Sequence, residues 1–488
     1  MLVEGKMLSK LKNRISNINK GAKSAISYTI AILLSKGLSI ITVPIFTRIM
    51  STSQIGTVNI FNSWYSLLSA VATLSLTSGG YIVAIKEFKD HRDEYQSSVL
   101  TLTSIIAVLI AVLFCISPTF WCKLAGLPIE LMVLMLFGLL VAPARDFWLA
   151  RQRFEYKYRL SSIVITGSAI IASAFSVVAV IYFNQNNPAL VADGRLFANY
   201  FVLYGVAGTI WILTLVKGKT GYNRKYWKFS LELSVPLIAY SIASQILNVS
   251  DRMMISWLVN NSAVGIYSTI YTVSSLSLLV WHSMHASFVP YLFQNIDDKD
   301  RHIGVKKTAF SIMLLYAVIA ILLVFLAPEI VRILAPKEYY EAIYIMPPIA
   351  VGVFFTSLSN IYSDIAVYYK KTRFVMYPAI VAALLNVILN YIFIKLYGYM
   401  AAAYTTMVSY ICMAILQGYW ARKLSKQNGI EHGTVYDDKK LFALAGITVI
   451  VSMSGIFFYK YTVLRYLAVF VMIIVGSILI YKKYRKKD

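Results

Sequence analysis

Long apolar segments recur along the whole chain and limit what it can fold into. At least a dozen runs of 18 or more residues carry almost no charge, and each is long enough to cross a hydrocarbon core of about 30 Å as a helix. Only 14% of the 488 residues are charged, whereas soluble domains carry about 25%. The sequence therefore predicts an all-α protein with about fourteen transmembrane helices, at residues 25–46, 59–80, 97–117, 130–148, 161–183, 197–216, 231–250, 263–289, 308–327, 347–369, 374–394, 399–420, 441–459 and 464–481.

The basic residues lie mainly on one side of these predicted spans. If both termini are cytoplasmic, thirty-six of the 46 Lys and Arg residues fall in cytoplasmic segments, nine belong to the opposite side, and Lys36 lies inside the first span. This asymmetry follows the positive-inside rule and predicts that both termini are cytoplasmic. The net charge of +24 has the same origin, so we do not expect nucleic acid as a partner.

A short motif recurs half-way along the chain. Residues 53–58 (SQIGTV) return as residues 262–267 (SAVGIY), an offset of 209, and each copy lies between long apolar segments. Many transporters are built from such repeats, with two lobes around a central site. The predicted divisions are 1–24, a basic cytoplasmic N-terminal segment; 25–216, an N-lobe of spans 1–6; 217–230, a cytoplasmic linker; 231–420, a C-lobe of spans 7–12; 421–440, a cytoplasmic loop suited to be a hinge; 441–481, spans 13 and 14; and 482–488, a basic C-terminal tail.

The N-terminal segment contains a helical apolar stripe. Leu8, Leu11, Ile15 and Ile18 fall on one helical face, with basic residues around them. This pattern is typical of an interfacial helix on anionic membrane lipids. A disordered basic tail is the alternative.

Three stretches of sequence carry a family resemblance. They are residues 35–61 (SKGLSIITVPIFTRIMSTSQIGTVNIF) with LSLTSGGY after them, residues 235–255 (VPLIAYSIASQILNVSDRMMI) with SAVGIYSTIY and FVPYLF after them, and residues 386–410 (NVILNYIFIKLYGYMAAAYTTMVSY). In this order they resemble polysaccharide flippases, the Wzx-type members of the multidrug/oligosaccharidyl-lipid/polysaccharide (MOP) exporter superfamily. The likeness covers the whole chain and includes the count of fourteen spans.

The resemblance implies two pseudo-symmetric six-helix lobes in a V shape and two further C-terminal helices. It implies alternating-access transfer of undecaprenyl-diphosphate-linked oligosaccharide to the outer leaflet of a bacterial cytoplasmic membrane, for O-antigen, capsule or exopolysaccharide synthesis. A polysaccharide polymerase and a chain-length regulator are the implied protein partners. The related lipid II flippases carry a further arginine between the positions of Lys36 and Arg48. Here Thr42 and its neighbours are neutral, so transport of the peptidoglycan precursor is not implied.

Three basic residues are the candidate substrate-binding groups. Lys36 lies about a dozen residues into span 1, near the mid-plane, where a charge needs a partner or a cavity. It either contacts the diphosphate as a point charge, or pairs with a carboxylate or extends to the interface. Arg48 and Arg252, which end spans 1 and 7 near the external face, would add to the positive field.

Three further residues are candidates for ion coupling or gating. Asp251 is adjacent to Arg252, so we expect each to have a separate partner, either in a gating salt bridge or in a fixed structural contact. Asp364, within span 10, either takes up a coupling proton or is a hydrogen-bonded structural acid. His282, three residues before His285 in span 8, is of a type that titrates near neutral pH.

No spacing of Cys, His or acidic residues matches a metal site, so we expect no metal and no other cofactor. The driving force is then a proton or sodium gradient.

Two other functions remain open at this point. A drug or cation exporter of the MATE type would carry acids in the first lobe, whereas spans 1–3 contain no Asp or Glu. A polysaccharide polymerase or glycosyltransferase needs a large external loop, and the longest one here, residues 328–346, is short. We therefore predict a transporter and not an enzyme.

Overall fold

The structure, a computed structural model, describes residues 20–78, 80–430 and 433–485, and the predicted interfacial helix lies outside these residues. The regular elements of the described part are helical. The α-helices are α1 (Lys20–Ile49), α2 (Thr52–Ala72), α3 (Gly80–Glu87), α4 (Arg92–Ile116), α5 (Pro118–Ala125), α6 (Ile129–Phe154), α7 (Tyr158–Asn186), α8 (Val191–Gly218), α9 (Arg224–Leu258), α10 (Asn261–Ser274), α11 (Ser277–Asn295), α12 (His302–Phe325), α13 (Ala327–Leu334), α14 (Met346–Tyr368), α15 (Arg373–Tyr397), α16 (Ala401–Gln427), α17 (Asp438–Phe458) and α18 (Thr462–Arg485).

Each of the fourteen predicted spans falls largely on these helices, which confirms the all-α membrane fold. By length and composition, ten helices of the described part are membrane spans by themselves. The number is twelve if two bent pairs, one within α9 and one formed by α10 and α11, each make one span. Predicted spans 2 and 14 correspond to α2, which is rich in Ser and Asn, and to α18, of which Thr462–Met472 counts as a shorter apolar helix. The protein is thus a multi-pass membrane protein.

The second predicted span ends earlier than its hydropathy predicts. Helix α2 stops at Ala72, and Leu74 and Ser75 follow with φ angles of 49° and 52°. Residues with a Cβ atom rarely adopt this left-handed backbone, and two in succession cannot continue a right-handed helix. The chain becomes helical again in the short helix α3.

Contacts between helices divide the chain into two compact units, which are unit 1 (Met1–Ile45, Val71–Trp121 and Pro128–Val235) and unit 2 (Phe46–Ala70, Cys122–Leu127 and Pro236–Asp488). In unit 1, α8 packs against α4, α6 and α7. An apolar core that includes Tyr81, Tyr95 and Phe147 joins α3, α4 and α6, with the rings of Tyr81 and Phe147 stacked at 4.8 Å. Aromatic burial of this kind is a large stabilising contribution.

Helix α14 is the central helix of unit 2. It packs against α10, α11, α12, α15, α16 and α17. Of its apolar span, 83% is buried, against 50% or less in each of the other single-helix spans of the described part. A polar side chain on α14 must therefore find its partners within the protein.

Helix α18 is attached to unit 2 by a buried arginine. Arg465 forms a two-point ion pair with Glu329, in the first turn of α13, and donates to the carbonyl oxygen of Phe325 at 2.9 Å. Tyr466 donates to the same carboxylate at 2.9 Å. Burial opposes ionisation of Glu329, but the hydrogen bonds from Arg465 and Tyr466 outweigh it and hold the pKa of Glu329 below its ordinary value.

The two copies of the repeated motif pack against each other in unit 2. A Cβ atom at Gly56 would lie 1.8 Å from the carbonyl oxygen of Asn261, and one at Gly265 would lie 2.0 Å from that of Thr52. The offset of 209 residues relates Gly56 to Gly265 and Thr52 to Asn261. The contact is therefore reciprocal, as in a pseudo-two-fold arrangement, and only glycine permits so close an approach of α2 and α10.

Candidate functional site

Lys36 lies on α1 in unit 1, and its side chain is exposed. Only 17% of the apolar span of α1 is buried, the smallest share among the single-helix spans of the described residues. The helix therefore leaves the ammonium group accessible, as a substrate contact requires. Its role in substrate binding stays a prediction.

Arg48, in the last turn of α1, contacts the end of α13 in unit 2. Its Nη2 atom donates to the carbonyl oxygen of Ile333 at 2.9 Å, and the hydroxyl of Thr47 donates to that of Leu334 at 2.7 Å. The last carbonyl groups of a helix lack partners within the helix and attract positive charge. Arg48 thus stabilises a helix end in this conformation, and its predicted substrate role is additional to that contact.

Asp251 and Arg252 contact each other, so the expectation of separate partners is wrong. The Nη1 atom of Arg252 lies 3.2 Å from Oδ1 of Asp251 and donates to the carbonyl oxygen of Asn248 at 2.6 Å. The guanidinium lies over the ring of Tyr271, 4.3 Å from its centre, and Tyr267 donates to Oδ2 of Asp251 at 2.6 Å. The spacing rule describes short side chains on a helix surface, whereas the long arginine side chain turns back over its own helix. The pair is largely buried, with 12% of the Arg252 side chain and 1% of the Asp251 side chain exposed.

A second group of buried polar residues links three helices of unit 2. Asn386 accepts from the hydroxyl of Ser250 at 2.8 Å and from the amide of Asn390 at 3.0 Å, and it donates to Thr406 at 3.1 Å. Thr405 donates to Asn390. Ser250 lies on α9, the two asparagines on α15 and the threonines on α16, so these asparagines link three helices.

The asparagine group and the Asp251–Arg252 pair belong to one polar region of unit 2. The hydroxyl of Tyr410, on α16, donates to Oδ1 of Asn248 at 2.9 Å, and Asn248 also contacts Arg252. Helices α9, α10, α15 and α16 are thereby joined through side chains that are satisfied by one another. Such a network favours one fixed arrangement of these four helices.

His285, and not His282, contacts Asp364. The Nε2 atom of His285, on α11, lies 2.8 Å from Oδ2 of Asp364, on α14, and the imidazole stacks on Trp281 with ring centres 5.2 Å apart. His282, one turn earlier, is exposed. The sequence offers no local signal for this pair, because its members are 79 residues apart.

A short segment before α17 is buried below this pair. The hydroxyl of Thr434 donates to Oδ1 of Asp438 at 2.7 Å, and that of Tyr362 donates to the same atom at 3.1 Å. Tyr436 donates to the carbonyl oxygen of Ile361 at 3.0 Å. Residues 434–436 are buried, although they fall within the predicted loop 421–440, whose first residues continue α16 as far as Gln427.

Unit 1 contains a charged cluster that the sequence did not predict. Arg151, on α6, contacts Asp93 and Gln96 on α4, and its Nε atom donates to Glu155 at 2.9 Å. Lys157 lies 2.6 Å from Glu155, and a cavity of about 230 Å³ adjoins these groups. Burial opposes ionisation of Glu155, but the hydrogen bonds from Lys157 and Arg151 outweigh it and lower its pKa. The count of Lys and Arg residues predicted positive charge on this side of the protein. It did not predict the acids that neutralise part of that charge.

Comparison with known proteins assigns the family. A family model described as "Polysaccharide biosynthesis protein" matches residues 22–296, which is more than half of the chain. The chain belongs to this family of polysaccharide biosynthesis proteins. A second family model, MatE, matches residues 236–392. Together with the fold, these matches place the chain in the MOP exporter superfamily.

Solved structures share the fold of this family member. A lipid II flippase, MurJ, in an inward closed conformation has 17% identity and a TM-score of 0.64, with 94% of this chain and 99% of that one covered. An inward-facing multidrug resistance transporter of the MATE family has 13% identity and a TM-score of 0.61, over 84% and 99%. A MOP superfamily transporter from Pyrococcus furiosus has 15% identity and a TM-score of 0.52, over 83% and 96%. No curated protein sequence matches the chain.

Proposed function

We propose that the protein is a flippase that moves an undecaprenyl-diphosphate-linked oligosaccharide from the inner to the outer leaflet of the cytoplasmic membrane, for polysaccharide synthesis. The observation that carries the proposal is the family match over residues 22–296. The fold shared with a lipid II flippase supports it. The transfer requires no covalent chemistry, and a polysaccharide polymerase and a chain-length regulator would act on its product.

The chemistry of the substrate agrees with the charges in the first spans. Neither a glycan nor a diphosphate dissolves in hydrocarbon, so both need a hydrated passage lined by polar or cationic groups. The accessible ammonium group of Lys36 supplies such a cation, and residues 25–46, 59–80 and 97–117 contain no acid to neutralise it. The polyprenyl chain remains in the lipid because it is apolar.

Alternating access also requires parts that keep their shape while the passage opens first to one side and then to the other. In unit 2 the buried hydrogen bonds of Asn386 and Asn390, together with the bond from Tyr410 to Asn248, hold the helices in one arrangement. We infer that these helices move together during transport.

A MATE-type drug or cation exporter is the second candidate, favoured by the MatE match over residues 236–392. Its substrates are cations, which acidic side chains attract and lysine repels. The charges of spans 1–3 therefore favour the flippase.

The test is a flipping assay with the purified protein in lipid vesicles. Vesicles contain a polyprenyl-diphosphate oligosaccharide with a fluorescent glycan, and an impermeant quencher reports the labelled glycan on the outside. We expect flipping well above that of protein-free vesicles. Lys36→Ala should lower the rate by about tenfold or more, since a hydrogen bond to a charged group contributes about 1.5–3 kcal/mol, and Lys36→Arg should retain part of it.

The matched control is Lys395→Ala, which removes a lysine in the last turn of α15, one that donates to Tyr391 at 2.6 Å. This variant should flip at the wild-type rate. Wild-type protein that moves no lipid-linked glycan, but exports a lipophilic cation, would establish the second candidate in place of the first. A fully active Lys36→Ala protein would remove Lys36 from the substrate path.

A further inference from the structure

A histidine and an acid meet inside unit 2. We name His285 and Asp364, whose side chains are 2.8 Å apart, the buried pair. Asp364 lies on α14, the most buried single-helix span of the described part, and its side chain is 10% exposed, against 21% for His285. Trp281 stacks on the imidazole and fixes the ring plane. Water thus reaches this ionisable pair only partially.

The chemistry of the buried pair suits a proton and not a metal ion. Hard cations such as Na⁺ and Ca²⁺ take several oxygen ligands, whereas this site offers one carboxylate and one imidazole nitrogen. Within residues 20–78, 80–430 and 433–485, no three His, Cys, Asp or Glu side chains come together to hold a metal. An imidazole beside a carboxylate exchanges a proton near neutral pH.

Other titratable side chains near the buried pair lie on its own two helices and on α12. His282 lies one turn before His285 on α11, and Tyr368 lies one turn after Asp364 on α14. From α12, Tyr316 contacts Trp281 with ring centres 5.4 Å apart. Phenols keep their proton at pH 7, so neither tyrosine adds a charge beside the pair.

The segment before α17 brings Tyr436 close to Asp364, with the charged Asp438 behind it. Burial, and after it the charges of Asp364 and the neighbouring Tyr362 and Asp438, raise the pKa of Tyr436 well above its ordinary value. Its hydroxyl therefore stays protonated and donates to Ile361. Tyr436 adds no charge that would neutralise the carboxylate, so His285 has that role.

We infer that the buried pair is the site that binds the coupling proton of transport, an inference that rests on the proposed flippase function. With the proton bound, imidazolium and carboxylate are together neutral, and burial is tolerated. Without it, an uncompensated carboxylate remains beside a neutral imidazole, and its burial costs free energy. The proton-free protein therefore favours a conformation in which Asp364 reaches water. Proton uptake on one side and release on the other then links the pH gradient to the conformational cycle.

The first test is flipping in vesicles with an imposed pH gradient and the membrane potential collapsed by an ionophore. Wild-type flipping should accelerate severalfold when the gradient is applied. Asp364→Asn and His285→Gln should flip equally fast with and without it. The matched control is an exposed pair in unit 1, His91 and Glu94, 3.0 Å apart with side chains 61% and 46% exposed. His91→Gln should retain the full gradient response. If Asp364→Asn and His285→Gln are accelerated by the gradient as the wild-type protein is, the inference is overturned.

The second test measures the proton without transport. The chain has 5 histidines, so nuclear magnetic resonance of ring-labelled histidine in the full-length, detergent-solubilised protein gives few signals. The signal lost in His285→Gln identifies His285. Its midpoint should differ between the wild-type protein and Asp364→Asn. An unchanged midpoint overturns the inference. Intact titration in a wild-type protein that flips nothing overturns the flippase function and leaves the proton site standing.

Discussion

The contact between the two motif copies gives a sharp prediction about packing. In Gly56→Ala the new Cβ atom would lie 1.8 Å from the carbonyl oxygen of Asn261, whereas carbon–oxygen contacts are normally about 3.3 Å, so the backbones must separate by about 1.5 Å. The oxygen is a backbone atom and the backbone fixes the position of the Cβ atom, so no side chain can rotate to relieve the contact. Overpacking of this kind costs about 1–3 kcal/mol, and we expect the upper part of that range.

The second motif copy, which contains Gly265, provides a further test of the same contact. In Gly265→Ala the Cβ atom would lie 2.0 Å from the carbonyl oxygen of Thr52, and the separation that relieves one contact also relieves the other. The double variant should therefore lose little more free energy of unfolding than Gly56→Ala alone, with a coupling of about 1–3 kcal/mol.

The assay is denaturant unfolding of the purified protein in detergent, followed by tryptophan fluorescence. Gly37→Ala is the control, because no heavy atom beyond its own stretch of helix lies within 4 Å of its Cβ position; it should be neutral or up to about 1 kcal/mol more stable. If Gly56→Ala unfolds with the wild-type free energy, or if the two losses simply add, the reciprocal contact is not what holds α2 against α10.

Three further predictions concern buried polar groups, and unfolding in detergent checks each. Asn386→Ala removes three buried hydrogen bonds and should cost about 2–3 kcal/mol at any pH. Glu329→Gln removes the charge partner of the buried Arg465 and should cost about 3–5 kcal/mol at pH 7. Because the folded-state pKa of Glu329 is depressed, its contribution is complete above the unfolded pKa of about 4.3 and disappears as the pH falls through the folded value, so the variant should show a flatter acid limb. Glu155→Gln, beside Arg151, should behave in the same way, and an unchanged acid limb in either variant would contradict the assigned ion pairs.

The membrane spans were predictable because the thickness of the hydrocarbon core imposes a minimum length on each apolar run. The early end of α2 was not, because the left-handed backbone at Leu74 and Ser75 leaves no mark in hydropathy. The motif copies at Gly56 and Gly265 predicted two equivalent halves. The contact between the two copies was not predictable, because a sequence repeat predicts two similar structures and does not say whether they pack against each other.

The candidate site was predictable in its residue types but less so in its partners. Asp364 stood out as an acid inside an apolar span, yet His285 became its partner only through the packing of α11 on α14. Helical spacing argued against a contact between Asp251 and Arg252, because spacing rules place Cβ atoms and not the ends of long side chains. Charge pairs between distant elements therefore require the structure.

The buried residues Thr434, Val435 and Tyr436 decide where this protein can be shortened. Hydropathy alone suggests removing α17 and α18 by cutting just after α16, to leave twelve spans. Such a truncation would also remove Tyr436, whose ring contacts Phe288. It would remove Asp438 as well, so the buried hydroxyl of Tyr362 would lose its hydrogen-bond acceptor in unit 2. We expect the shortened chain to aggregate on purification, whereas a terminal affinity tag, which leaves this segment in place, should be harmless.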